Sequence, residues 1–211
     1  EQAADQNAVT SLERTGQSAR GLLAFLEILE GQEVLVASRQ DPYLRTHPLV
    51  RGRIDFVRNH VENSPYSDVQ PSAEQVAQFS RMIAKLQGFL NPRETLRLYP
   101  EDDRGIAARY ARAIAHYRRP DLTPALEEID GLLAEYPDDG YFHELKGQIL
   151  FENGRIDEAV EFYGRAVEKL PEEPLIRVGL AQAMIEQGGA EAIDEAVEQL
   201  ETAVRQDADY P

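Results

Sequence analysis

An all-α fold whose second half is a stacked helical solenoid follows from three observations. Residues recur in a small–small–large–small–proline frame: Gly147, Ala159, Tyr163, Ala166 and Pro171 are answered 34 positions earlier by Ala113, Ala125, Ile129, Leu132 and Pro137. A third set, Ala181, Ala196, Leu200 and Ala203, keeps the frame with three extra residues between its two helices. Elsewhere apolar residues fall at helical spacing, and strand signals are nearly absent. A period of this length denotes helical hairpins that cannot bury an apolar face alone and must stack on neighbours.

Taken in order, residues 1–15 read as a helix with Ala4, Ala8, Val9 and Leu12 on one face, closed by Gly16. Ser18 is a plausible N-cap for a second helix with the stripe Leu22, Phe25, Leu26 and Leu29, ending at Gly31. A short apolar piece, Val34–Ala37, precedes a polar stretch from Ser38 to Leu49 that contains Pro42 and Pro48. Long irregular loops of this kind are usually functional or mobile. Helix returns over about 50–62, with Ile54, Val57 and Val61, and breaks at Ser64-Pro65. Ser72 starts a long amphipathic helix with the stripe Val76, Phe79, Met82, Ile83, Leu86 and Leu90, and a short helix follows near 93–98.

The paired helices begin near Asp103, and their frame is that of the tetratricopeptide (TPR) repeat. Gly147 and Ala159 are small where the two helices of a pair cross. Ala166 is small where the second helix meets the next pair, and Pro171 ends that helix. Asn153-Gly154 supplies the tight turn, lengthened in the third unit to Gln187-Gly188-Gly189-Ala190.

Composition narrows the function. A net charge of −16, from 22 basic and 38 acidic residues, argues against nucleic acid or anionic membrane as a partner. The acid is concentrated after Leu126, whereas 39–58 holds five arginines against two aspartates, so the halves differ in surface character. Cysteine is absent, which excludes disulfide and thiolate chemistry. No apolar run is long enough for a transmembrane helix. The chain opens inside a helical pattern and stops at Pro211 where a further repeat would start, so both ends are expected to be cut.

Among possible motifs, His143-Glu144 lacks the second histidine of a zinc-protease helix, since Gly147 stands in its place. His60 and His116 have no histidine or carboxylate at ligand spacing along the chain. Glu1 and Asp5 share a helical face, either as a solvated acidic face or as a metal ligand with an aspartate that orients it. Tyr110, Tyr117, Tyr141, Phe142 and Phe151 cluster on the first helices of the pairs, where they either pack between helices or line a groove. In the second reading Tyr110, Tyr117, Glu144, Gln148, Phe151 and Gln182 form the groove that takes a protein or peptide.

Glu1-Gln2-Ala3-Ala4-Asp5, then Thr46-His47-Pro48-Leu49 and Arg53-Ile54, followed by the repeats, resemble the BepA/YfgC-type zinc metallopeptidases over essentially the whole chain. The resemblance implies a periplasmic zinc-dependent protease of envelope quality control. Its H-E-x-x-H helix would lie upstream of Glu1, and zinc would be a cofactor of the full-length enzyme only. It makes Glu1 the third zinc ligand, Asp5 its neighbour, and His47 an active-site loop histidine. It divides the chain into the last peptidase helices (1–66), linker and capping helices (67–102) and TPR repeats (103–211). The other class of reading is a non-catalytic TPR adaptor whose first helices cap the solenoid.

Overall fold

The computed structural model describes residues 2–37 and 50–206. Among them the chain is all helix, in the order α1 (Gln2–Arg14), α2 (Arg20–Ala37), α3 (Val50–Asn63), α4 (Ala73–Leu90), α5 (Pro92–Leu98), α6 (Ile106–Tyr117), α7 (Leu122–Glu135), α8 (Gly140–Glu152), α9 (Ile156–Lys169), α10 (Pro174–Gln187) and α11 (Ala190–Gln206). Two compact units divide it, residues 1–76 and 77–211.

In the first unit α3 packs against α1 and α2 around Val9, Leu26, Ile54, Val57 and Val61, all buried. The Ser18 hydroxyl accepts from the Arg20 amide at 3.2 Å and donates to the Ser67 carbonyl at 2.6 Å, which ties the start of α2 to the turn after α3. The expected stop at Gly31 does not occur, and α2 runs on to absorb Val34–Ala37. A glycine costs a helix interior only about 1 kcal/mol, and no turn residue comes after it.

The second unit holds three antiparallel pairs, α6/α7, α8/α9 and α10/α11. The frame read from the sequence is the packing frame: Ala125, Ala159 and Ala196 are buried at the crossings, as are Leu132, Ala166 and Ala203 two turns further on. The Tyr163 ring is held between two glycines. A Cβ at Gly147 would stand 2.9 Å from it, and one at Gly179 of the next pair 2.8 Å. Burial pushes the Tyr163 phenol above its ordinary pKa. The first pair starts at Ile106, later than Asp103. Asp103 instead builds a turn, its carboxylate accepting from the Gly105 amide at 2.9 Å and its carbonyl from the buried Arg112 at 2.9 Å.

The long helix α4 opens with a reciprocal cap. The Ser72 hydroxyl accepts from the Gln75 amide at 3.1 Å while the Gln75 side chain accepts from the Ser72 amide at 2.8 Å. Its apolar stripe does not face inward as the periodicity suggests: Phe79, Met82, Leu86 and Leu90 are exposed, and Ala84 and Gly88 are buried instead. Small residues let this helix approach its neighbours closely, which the larger side chains would prevent.

Replacing Ala159 by leucine puts a large side chain into the α8/α9 crossing. Thermal and urea unfolding of the variant are expected to show a loss on the order of 1–3 kcal/mol with helix content unchanged. A neutral result would mean the crossing has room to spare.

Candidate recognition groove and the Asp5–Arg53 pair

The first helices of the pairs carry three aligned columns, each stepping by the repeat: Tyr110, Glu144 and Val178; Ile114, Gln148 and Gln182; Tyr117, Phe151 and Ile185. Over the first pair these columns are covered by the chain itself, through the part of α4 that belongs to the second unit. Gly88 makes this possible, because a Cβ there would meet Ile114 at 2.8 Å and the Ala111 carbonyl at 3.1 Å. Phe89 meets Tyr117 edge-on with ring centroids 6.2 Å apart.

Two cations on α4 extend the contact to the second pair. Arg81 donates to both carboxylate oxygens of Asp139, at 2.8 and 3.0 Å. Asp139 is the N-cap of α8 and accepts from the Phe142 amide, so this ion pair fixes the start of that helix. The same guanidinium lies 4.5 Å from the Phe142 ring centroid and 5.6 Å from that of Tyr110. Lys85 reaches Glu144 at 3.4 Å.

The six groove residues expected from the sequence therefore separate. Tyr110 is 2% exposed and Tyr117 is buried, so both are core residues beneath α4 and present no surface to a partner. Burial raises the Tyr110 phenol above its ordinary pKa. Glu144 and Phe151 are half-buried, Gln148 is half-buried and donates to Glu152 at 3.3 Å, and Gln182 is exposed. Ile185, next in its column, is half exposed and was not read from the sequence. The open part of the groove thus runs from Glu144 to Ile185, with Glu152 and Glu186 as further acids.

In the first unit, two pieces of the sequence resemblance meet. Asp5 on α1 accepts from Arg53 Nε and Nη2 on α3, each at 2.8 Å, and Asp5 is buried. These hydrogen bonds hold the Asp5 carboxyl below the ordinary carboxylate range against the opposing effect of burial. Glu1 and His47 lie outside the described residues. Among the described residues no three His, Asp or Glu side chains are grouped to hold a metal, and both Asp5 oxygens are engaged by Arg53.

The other histidines have structural partners. His143 is buried, its Nε2 lies 2.8 Å from the Pro137 carbonyl, and its ring stacks on Phe162. His60 stands 3.3 Å from Glu13, a carboxylate that is remote in sequence and supplied by α1. His116 Nδ1 lies 3.8 Å from Asp121.

The family model described as tetratricopeptide repeat matches residues 110–174, and a second model of that description matches 150–211. The chain carries tetratricopeptide repeats. It is also homologous to proteins named beta-barrel assembly-enhancing protease. Identity is 26% over 88% of the chain for the protein from Yersinia pestis, and 28% over 90% for that from Escherichia coli (strain K12). The chain spans 39% of the length of these relatives. A cytochrome c-type biogenesis protein, CycH, from Rhizobium meliloti (strain 1021) is 33% identical over 43% of the chain and 24% of its own length. None of the described helices is long and apolar enough to cross a membrane.

The Asp5–Arg53 pair makes a pH prediction with a defined sign. A carboxyl whose pKa is lowered by folding stabilises the fold above its unfolded value, about 3.8, and that contribution is lost as the pH falls through the lower folded value. Asp5→Asn is expected to remove on the order of 2–4 kcal/mol at neutral pH, because a buried acceptor pair for Arg53 disappears. Hydrogen-exchange protection in α3 should fall accordingly at neutral pH, and its further loss on acidification through the folded Asp5 value should be weaker than in the parent chain. Identical acid profiles would remove Asp5 as the titrating group.

Proposed function

We propose that this chain is the C-terminal recognition part of a periplasmic zinc metalloprotease of bacterial envelope quality control, with the open groove taking protein or peptide partners. The observation that carries the recognition reading is that Gln148, Gln182 and Ile185 remain accessible beyond the stretch of groove filled by α4. Homology over nine-tenths of the chain supports the protease context. In that context Glu1 is the third zinc ligand, Asp5 holds α1 and α3 together beside it through Arg53, and His47 belongs to a loop that reaches the active site. The zinc, when held by the full-length enzyme, supplies an activated water. The part played by this chain's described residues is to position the segment that carries Glu1.

A photo-crosslinking amino acid placed at Gln148 or Gln182 in cells should give protein adducts, whereas the same group at Glu168 on α9 should not. Adducts of equal yield at all three positions, or at Glu168 alone, would remove the groove from recognition.

The purified 211-residue chain is expected to be inert toward casein with added zinc, because metal affinity comes from three or four ligands held in place. Chelator-sensitive turnover by this chain would overturn the assignment of catalysis to residues outside it.

A further inference from the structure

One polar position recurs in the first helix of each pair, and in the middle pair its partner set is broken. Arg109, His143 and Arg177 stand 34 residues apart. Arg109 Nη1 donates to Glu135 at 2.6 Å, and its Nε lies 3.7 Å from Glu128. Arg177 donates to the equivalent residues of α11, Gln199 at 2.7 Å and Gln206 at 3.1 Å, and to the Pro171 carbonyl at 3.0 Å. His143 keeps the proline contact, with Nε2 2.8 Å from the Pro137 carbonyl. The two acceptor positions on α9, however, are Phe162 and Lys169, and neither side chain can accept. His143 Nδ1 is left buried without a partner, on a residue that is 5% exposed. A buried polar atom in that state requires an account.

Cations gather where the acceptors are lost. His143 lines an open cleft of about 490 Å³ together with Lys146, Arg165 and Lys169. Lys146 Nζ is 3.9 Å and the Arg165 guanidinium 5.1 Å from the centroid of the Phe162 ring, on which His143 stacks. Asp130 and Glu168 also line the cleft, so three cations face two carboxylates in a chain of net charge −16. Lys146 pairs with Asp130 at 2.6 Å, Arg165 with Glu161, and Lys169 with Asp138. Each of those carboxylates is more than half exposed, and ion pairs of that kind hold weakly against a competing anion.

We propose that this cleft binds the phosphate group of a small soluble molecule. Lys146, Arg165 and Lys169 supply the charge, and His143, as an imidazolium with its Nε2 hydrogen on Pro137, donates to the anion from Nδ1. The anion takes the place of the acceptors that Glu128 and Glu135 provide in the first pair. A phosphate fits this set better than a lone carboxylate, because its oxygens serve several donors at once and it carries more charge. The cleft has the volume of a small-molecule site. No residue of the open groove lines it, so the site does not depend on the groove's function.

The probe is inorganic phosphate, titrated into the isotope-labelled 211-residue chain at constant ionic strength and followed by NMR, with acetate as the reference anion. Saturable shifts are expected at the amides around His143, Lys146, Arg165 and Lys169, and the His143 ring nitrogens should move to the doubly protonated pattern. The double variant Lys146→Gln/Arg165→Gln should weaken binding by roughly tenfold or more. Lys169→Glu, which puts back the acceptor of the first pair, should abolish it, while unchanged resonances outside the cleft show that the fold is kept. Shifts that grow without saturating, an equal response to acetate, an unchanged His143 ring, or indifference to the Lys146/Arg165 variant overturns the proposal. So does retention by phosphatidylglycerol vesicles with no response to inorganic phosphate, since the ligand would then be a lipid surface.

Discussion

A helical pair in a solenoid has apolar surface on more than one side, and every such side must be covered by something. This constraint organises the second unit. The pairs cover one another through alanines at the crossings, which bring backbones close enough for the flanking large side chains to interlock. The first pair has one more side to close, along the groove, and α4 closes it. That helix does so with its small residues, Ala84 and Gly88, because the approach at Ile114 leaves no space for a Cβ.

The way α4 is held shows how the first stretch of the groove is filled. Its contacts combine ring packing, Phe89 on Tyr117, with cations that meet acids on the first helices and their caps. Arg81 is the central example. It neutralises Asp139, caps α8 indirectly and covers two aromatic faces, so a single side chain joins the helix to two pairs. Part of the acid on the first helices and their caps is thus engaged by cations of the chain itself.

Much of the solenoid could be read from the residues alone, because its determinants are local. Ala125, Ala159 and Ala196 repeat in phase, and Asn153-Gly154 turns where its backbone preferences say it should, with Gly154 at φ 74°. What resisted reading depends on contacts between distant segments. Tyr110 and Tyr117 occupy groove positions in the repeat frame, but nothing near them announces that α4 will cover them. The stripe on α4 misled for a related reason, since periodicity shows that a face is apolar and not whether that face is the one buried. The residues alone distinguished Asp5 as an acid at helical spacing from Glu1, the resemblance drew attention to both Asp5 and Arg53, and the two lie 48 residues apart. That they form an ion pair became visible only when α1 and α3 were side by side.

The Tyr163 ring, fitted between Gly147 of its own pair and Gly179 of the next, has a consequence for how the array comes apart. In a one-dimensional stack the loss of one unit spreads only as far as the interface energy carries it. Here the ring fills space that both pairs enclose, so melting α10 would leave Tyr163 packed on one side only, and the α8/α9 pair would lose part of its own interior with it. Opening of the third pair therefore costs the second pair part of its core, and the core shared by α6, α7 and α8, with the α4 contacts, couples the first pair to the second in the same way.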